Sequence, residues 1–279
     1  LQSLGYDYVF GPDISLGGDY EERLDYREVV LGSRVKDALF RINKGIPTEA
    51  LEEAYRRIIT FNSPMLEENN RSFHRLLTEG IDVSFAEDGN IRTKNVQIVD
   101  FSEEGIKNNE FLVVNQFTII ENEERRPDLL IFVNGIPLVI IELKSASDEN
   151  VGIESAYNQI QTYKKDIPSL FNYNAFCILS DGINAKAGTI TSNEERYMNW
   201  RSIDGKVVEP LSNPQYEVMF GGMLQKHRLL DIIKNFILFQ ESSVDEKDEN
   251  GKKLGDKKTI IKIMAAYHQY FAVKKAVEK

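Results

Sequence analysis

The chain has 279 residues, of which 42% are hydrophobic and 28% charged, and it carries a formal net charge of −10. That length accommodates one large domain, or a domain of roughly 200 residues with part of a second, and the composition is sufficient for a buried core. No apolar run approaches the roughly 20 residues of a membrane span, and no basic-then-apolar signal segment opens the chain, so no membrane partner is expected. The single cysteine, Cys177, rules out an internal disulfide and fits a reducing, cytoplasmic setting. It stands in the apolar run 175–179, which reads as a buried strand and not as the setting of a reactive thiol. The excess of acid argues against strong autonomous DNA binding, because Lys and Arg carry phosphate contacts. A chain of this charge that acted on nucleic acid would leave most of those contacts to its neighbours in a larger assembly.

Residues 1–10 read as the tail of a helix running into Gly5 and then a strand, as though the chain begins inside an element. Gly17-Gly18 reads as a turn. A helix is expected over 27–42 from Val30, Leu31, Val35, Ala38, Leu39 and Ile42 at three- and four-residue spacings. A second is expected over 48–60, with Thr48 as N-cap and Glu49 in the first turn. A short third covers 73–77 before a stop at Gly80.

From Ile81 to Ala187 the texture is that of short strands: 96–99, 111–119, 128–133, 137–143 and 175–180. Most are apolar on both faces, as in a sheet covered by helices on each side. Asn134-Gly135 signals a hairpin, and a helix over 151–165 precedes the last strand. This is α/β organisation. Beyond Asp204-Gly205 an apolar helix is expected over 226–239, then a charged, solvated loop over 241–258, then a helix from about 260 whose uncapped end reads as cut. Gly221-Gly222 reads as a turn.

The chemistry lies in segment 126–144. Asp128 and Glu142-Leu143-Lys144 interrupt two otherwise apolar strands joined by a tight turn. Glu142 and Lys144 are two apart and share a strand face. A two-residue turn with regular pairing would put Asp128 on the other face. A three-residue loop with Gly135 in a bulge, or an equivalent bulge elsewhere in the hairpin, returns it to theirs. Two carboxylates so placed suit Mg²⁺, with the Leu143 carbonyl as a further ligand. Lys144 would orient a water or stabilise the phosphorus in the transition state. The competing interpretation is a surface salt-bridge cluster. On the following helix, Gln159 falls on one stripe with Ala156, Ile160 and Tyr163, so a polar amide needs a partner on the packed side. His74, His227 and His268 are scattered and argue against zinc. Arg125-Arg126 suits either a DNA phosphate or an exposed turn.

Pro127-Asp128, Glu142-Leu143-Lys144 and the segment Gln159 to Tyr163 together resemble the PD-(D/E)xK nuclease signature with its QxxxY extension. Around them, Asn115-Gln116-Phe117, Val133 to Val139, Ser180-Asp181-Gly182, Asn199-Trp200 and the stretch from Gly221 to Phe236 resemble the N-terminal part of the restriction (R) subunit of type I restriction–modification enzymes. The resemblance covers nearly the whole chain. It implies a PD-(D/E)xK restriction-endonuclease-like mixed sheet flanked by helices over residues 1–205. Residues 206–279 would then be a linker and the start of a helicase/translocase domain. It also implies that Asp128 and Glu142 bind Mg²⁺, that Lys144 is catalytic, and that Gln159 and Tyr163 assist cleavage or DNA contact. Double-stranded DNA and the methylation and specificity subunits are the implied partners. ATP belongs to the motor that would follow, with Gln269 at its adenine, and the sequence holds no G-x-x-x-x-G-K-[ST] loop of its own. A further acid that such nucleases often carry on an early helix is not evident. The alternative function is a catalytically silent module for DNA binding or subunit assembly.

Overall fold

A computed structural model describes residues 1–87, 89–144, 152–210, 212–247 and 253–277, with the side chains of 244–258 left aside. The chain opens with a 3₁₀ turn at Gln2–Leu4, Gly5 in the left-handed region, and strand β1 (Asp7–Phe10). Helices α1 (Gly32–Ile42), α2 (Thr48–Ile59) and α3 (Leu66–Glu79) follow, then a hairpin of β2 (Ile81–Glu87) and β3 (Asn90–Val96). Next come β4 (Phe111–Asn115), the two-residue strands β5 (Ile119–Ile120) and β6 (Glu124–Arg125), β7 (Leu129–Val133) and β8 (Ile136–Leu143). Helices α4 (Ile153–Asp166) and α5 (Pro168–Tyr173) lead to β9 (Phe176–Ser180) and β10 (Ala185–Gly188). Helices α6 (Gln215–Met223) and α7 (Lys226–Asn235), a long hairpin of β11 (Ile237–Lys247) and β12 (Lys253–Met264), and α8 (Tyr267–Val277) complete it.

A mixed six-stranded sheet in the order β1-β4-β7-β8-β9-β10 organises the molecule. Strands β4, β7 and β8 form an antiparallel meander, whereas β1–β4 and β8–β9 are parallel pairs. The β8–β9 crossover is made through α4 and α5, as a parallel pair requires. Residues 129–142 and 175–180 are almost continuously buried, because both faces of these strands are covered. No described helix is long and apolar enough to cross a membrane. Cys177 is a fully buried free thiol on β9, as its apolar run implied.

The central hairpin departs from the expected three-residue loop. Asn134 and Gly135 both have positive φ, 52° and 79°, in a two-residue turn that pairs Val133 with Ile136. The bulge lies two residues further on. Phe132 pairs with Pro137 but Ile131 pairs with Val139, so Leu138 is the extra residue. Pro137 has no N–H to give the ladder, and the Leu138 carbonyl is taken instead by Ala175 N (2.7 Å) and Asn174 Nδ2 (3.3 Å). The turn is fixed from beneath. The buried Asn134 amide donates to the Ile98 carbonyl and Asn109 Oδ1, and a Cβ on Gly135 would come within 2.6 Å of the Leu31 carbonyl.

Several other elements differ from the sequence reading. Helix α1 begins only at Gly32, because Leu31 gives its N–H to Gly135 instead of entering a helix. Thr48 is the first helical residue and Pro47 the N-cap. Helix α3 fills 14 residues where a short helix was expected. Strand β4 stops at Asn115, where Gln116 turns to φ 54°. Gly221 and Gly222 lie inside α6, where Gly222 lets the Trp200 indole pack against the helix. Helix α7 ends at Asn235, and the region expected to be a solvated loop is largely the β11–β12 hairpin, with its centre, 248–252, outside the described residues. The final helix starts at Tyr267, not near 260.

The β11–β12 hairpin is tied to the body by Lys262. Its ammonium is fully buried, 2.9 Å from Asn70 Oδ1 and 2.6 Å from the Asn174 carbonyl, and stands over the Phe239 ring. Thr189 and Thr191 hydroxyls donate to the Lys262 carbonyl. Among the described residues no carboxylate pairs with it, and burial pulls the amine down to about 7. A lysine depressed in the folded state binds its proton more tightly when unfolded, so stability is lowest below about pH 7 and rises towards the ordinary lysine range. Urea unfolding should therefore give a wild-type stability that increases by a few kcal/mol from pH 7 to 9.5, and Lys262→Met should remove most of that slope. Parallel pH profiles for the two proteins would contradict this.

Candidate active site

Strand β7 and the register shift at Leu138 set the site. Leu129 pairs with Ile141, so Asp128, one residue before β7, stands level with Glu142 and on its face. A three-residue loop would have put Asp128 level with Ile140, diagonal to Glu142; the bulge at Leu138 puts it directly across. Asp128 is held at both ends. Its carbonyl accepts from Gln116 N (3.1 Å), and its Oδ2 accepts the Leu143 N–H (2.8 Å). Lys144 extends past the end of β8, with its N–H on the Ser180 carbonyl and its Nζ 2.8 Å from Glu142 Oε1. Asp128, Glu142 and Lys144 thus lie together at one end of the sheet.

Glu142 is the unusual member. It is only 2% exposed, and its Oε2 is buried without a well-formed hydrogen bond. Burial raises its pKa and the charge of Asp128 adds to that; Lys144 and the Tyr163 hydroxyl oppose the rise without cancelling it. A buried carboxylate oxygen lacking a partner, beside a second carboxylate, fits the donor set of a hard divalent cation. Among the described residues no group of three or more His, Cys, Asp or Glu side chains gathers to hold a metal, so two carboxylates are the side-chain donors available here. His74, His227 and His268 stay apart. His74 is pressed against Phe239 and held neutral, its pKa pulled to about 3 by burial and by Lys262.

Helix α4 brings Tyr163 to the same place. The phenol is buried, its hydroxyl 3.5 Å from the Arg126 carbonyl and close enough to Glu142 for both carboxylates of the site to push its pKa upwards, after burial itself. Gln159, one turn earlier on the same stripe, is half-buried and makes no hydrogen bond to the described residues. Arg125 is not free for phosphate: its Nε and Nη2 lie 2.7 and 2.6 Å from Asp166 Oδ2 at the end of α4. Asp166 is a site neighbour the sequence reading missed, and its only signal was an acid at the C-terminal end of a helix, where the helix dipole disfavours one. Gln269 is exposed and accepts the Ala266 N–H (2.9 Å), so in this structure it caps α8.

Comparison with known proteins decides the family. The model of the type I restriction enzyme R protein N terminus matches residues 1–196. The chain belongs to this family. It is 34% identical, over its whole length and 25% of the relative's, to the type I restriction enzyme HindI endonuclease subunit of Haemophilus influenzae. A Methanocaldococcus jannaschii protein, provisionally named the MjaIXP endonuclease subunit, is 32% identical over the whole chain and 26% of its own length. The type I restriction enzyme EcoprrI endonuclease subunit of Escherichia coli is 28% identical over 82% of this chain. The chain therefore spans about a quarter of the length of the first two relatives. The mixed sheet flanked by helices is consistent with a nuclease-like fold in this family.

The crowding of two carboxylates has a cost that can be measured without substrate. Because the Glu142 pKa is raised, its charged form destabilises the metal-free fold above the ordinary carboxyl range, and the penalty disappears as pH falls and the group protonates. Asp128→Asn keeps an oxygen for the Leu143 N–H while removing one charge. In chelator at pH 7.5 it should raise the melting temperature by about 2–4 °C, an advantage that shrinks towards pH 4. A lower melting temperature at neutral pH would contradict the arrangement.

Proposed function

We propose that this chain is the nuclease part of the DNA-cleaving subunit of a type I restriction enzyme, hydrolysing phosphodiester bonds of double-stranded DNA with Mg²⁺. The observation that carries this is the buried Glu142 Oε2, which makes no well-formed hydrogen bond among the described residues, beside Asp128, which stands level with it across the hairpin. The names of the relatives support the reading, since all three are endonuclease subunits.

Asp128, just ahead of β7, and Glu142 on β8 would hold the cation. When bound, a hard divalent ion supplies neutralisation of charge on the phosphodiester and acidifies a water. The protein residues do the rest. The bond from Leu143 N–H fixes the Asp128 carboxylate, and the ion pair with Glu142 fixes the Lys144 ammonium at the rim, 20% exposed. From there Lys144 orients the attacking water or faces the charge that develops on phosphorus. Tyr163 orders the Glu142 side of the site. Gln159, half-exposed one turn away, is placed to meet phosphate or water.

In the complete subunit, residues 1–205 form the endonuclease unit, and residues 206–279 lead into an ATP-driven translocating motor, with Gln269 released to meet adenine. The methylation and specificity subunits supply the DNA recognition that a chain of net charge −10 is poorly suited to supply. The complex acts in the cytoplasm.

The test is Lys144→Ala in the complete subunit assembled into its restriction complex. DNA cleavage should fall by about 10²-fold or more while DNA-dependent ATP hydrolysis persists. A cleavage rate equal to wild type would leave only a role in DNA binding or assembly.

A further inference from the structure

The polypeptide reaches Asp128 through the small β5–β6 hairpin, and this hairpin is fastened to the end of α4 by more bonds than its size requires. Arg125, three residues before Asp128, places two guanidinium nitrogens on Asp166 Oδ2 at 2.7 and 2.6 Å, and Asp166 is only 7% exposed. The Asp166 carbonyl accepts from Asn122 N (3.0 Å) and Glu123 N (3.4 Å), and the Asn122 side chain donates to the Lys165 carbonyl (2.9 Å). Glu121 Oε2 accepts from Ser169 N and Oγ at 3.0 and 2.7 Å, fastening the hairpin to α5 as well. Otherwise unmet carbonyls at the C-terminus of α4 are thus satisfied by the loop that delivers Asp128.

The other end of the connection is the site. Tyr163 lies one turn before Asp166 on α4, with its hydroxyl at the Arg126 carbonyl and near Glu142. Residues 125 and 126 are therefore held by α4 at two successive turns, immediately before Pro127-Asp128. Asp128 itself stands at the end of the ladder, one residue before β7, where the Gln116 N–H on its carbonyl and the Leu143 N–H on its carboxylate are its own tethers. We propose that Arg125 and Asp166 are positioning residues, whose ion pair sets the separation between Asp128 on its hairpin and Glu142 and Tyr163 on the other side of the cation site. Neither residue touches the reacting atoms. The inference rests on the reading of Asp128 and Glu142 as a cation site.

The experiment measures Mn²⁺ binding to the complete subunit by electron paramagnetic resonance, with Mg²⁺-dependent DNA cleavage by the assembled complex alongside. Arg125→Ala and Asp166→Asn should each weaken Mn²⁺ binding about tenfold and raise the Mg²⁺ needed for half-maximal cleavage similarly, with the maximal rate much less affected. The exchanged pair, Arg125→Asp with Asp166→Arg, should recover most of the loss. Unchanged Mn²⁺ affinity in the folded single variants, or an exchange that binds no better than they do, overturns the proposal. If Arg125→Ala does not fold, Arg125→Lys should bind about threefold more weakly than wild type, and wild-type affinity there overturns it equally. Asp128→Asn separates the two levels: if it binds Mn²⁺ as wild type does, the cation site itself is wrong and the positioning role falls with it.

Discussion

A single extra residue in β8 decides which face of the sheet Asp128 shares. With Leu138 inserted between the partners of Phe132 and Ile131, the last pairs of the hairpin move by one step, and Asp128 faces the side of the sheet that carries Glu142. Without it, strand alternation would send the aspartate through to the opposite surface. The insertion is stabilised locally, by a proline that leaves the ladder short of a donor and by Ala175 and Asn174, which take up the displaced carbonyl. The rest of the architecture holds this strip steady. Asn134 and Gly135 close the turn at one end, and the β5–β6 hairpin, bound to α4, holds the other.

The site is electrostatically uncomfortable by construction. A carboxylate only 2% exposed, with one oxygen lacking a well-formed hydrogen bond among the described residues, sits next to a second carboxylate, and the lysine at the rim pairs with the first of them. Protein interiors tolerate such groups where function requires them and the surrounding scaffold over-determines their place. Here the scaffold is a pair of fully buried strands flanked by helices, which leaves the two acids little freedom to separate. Lys262 is a second buried ionisable group, held by the Asn70 side chain and the Asn174 carbonyl. Asn174 also supports the bulge at Leu138, so the long C-terminal hairpin and the active strip share one polar anchor.

Much of this was legible in the sequence, for reasons that differ by element. Strands β4, β7, β8 and β9 announced themselves because burial on both faces demands uninterrupted apolar runs. The need for a bulge followed from parity alone, since three charged residues could share a face only if the hairpin gained a residue. Its location did not follow, because Gly135 is a familiar place for a bulge and a proline inside an apolar strand is a weaker sign of one. The β11–β12 hairpin was hidden by its charge, because the acids and lysines of 241–258 read as a solvated stretch. Asp166 was invisible because its role depends on a partner 41 residues away. Arg125 reads equally well as a phosphate contact until that partner is seen.

The central claim is that Asp128 and Glu142 grip one divalent ion. Anomalous diffraction from crystals soaked in Mn²⁺ measures it most directly. A single anomalous peak within coordination distance of Asp128 and of Glu142 Oε2 is the predicted result. A peak elsewhere with none between these two carboxylates, in crystals where Glu142 is ionised, would contradict it.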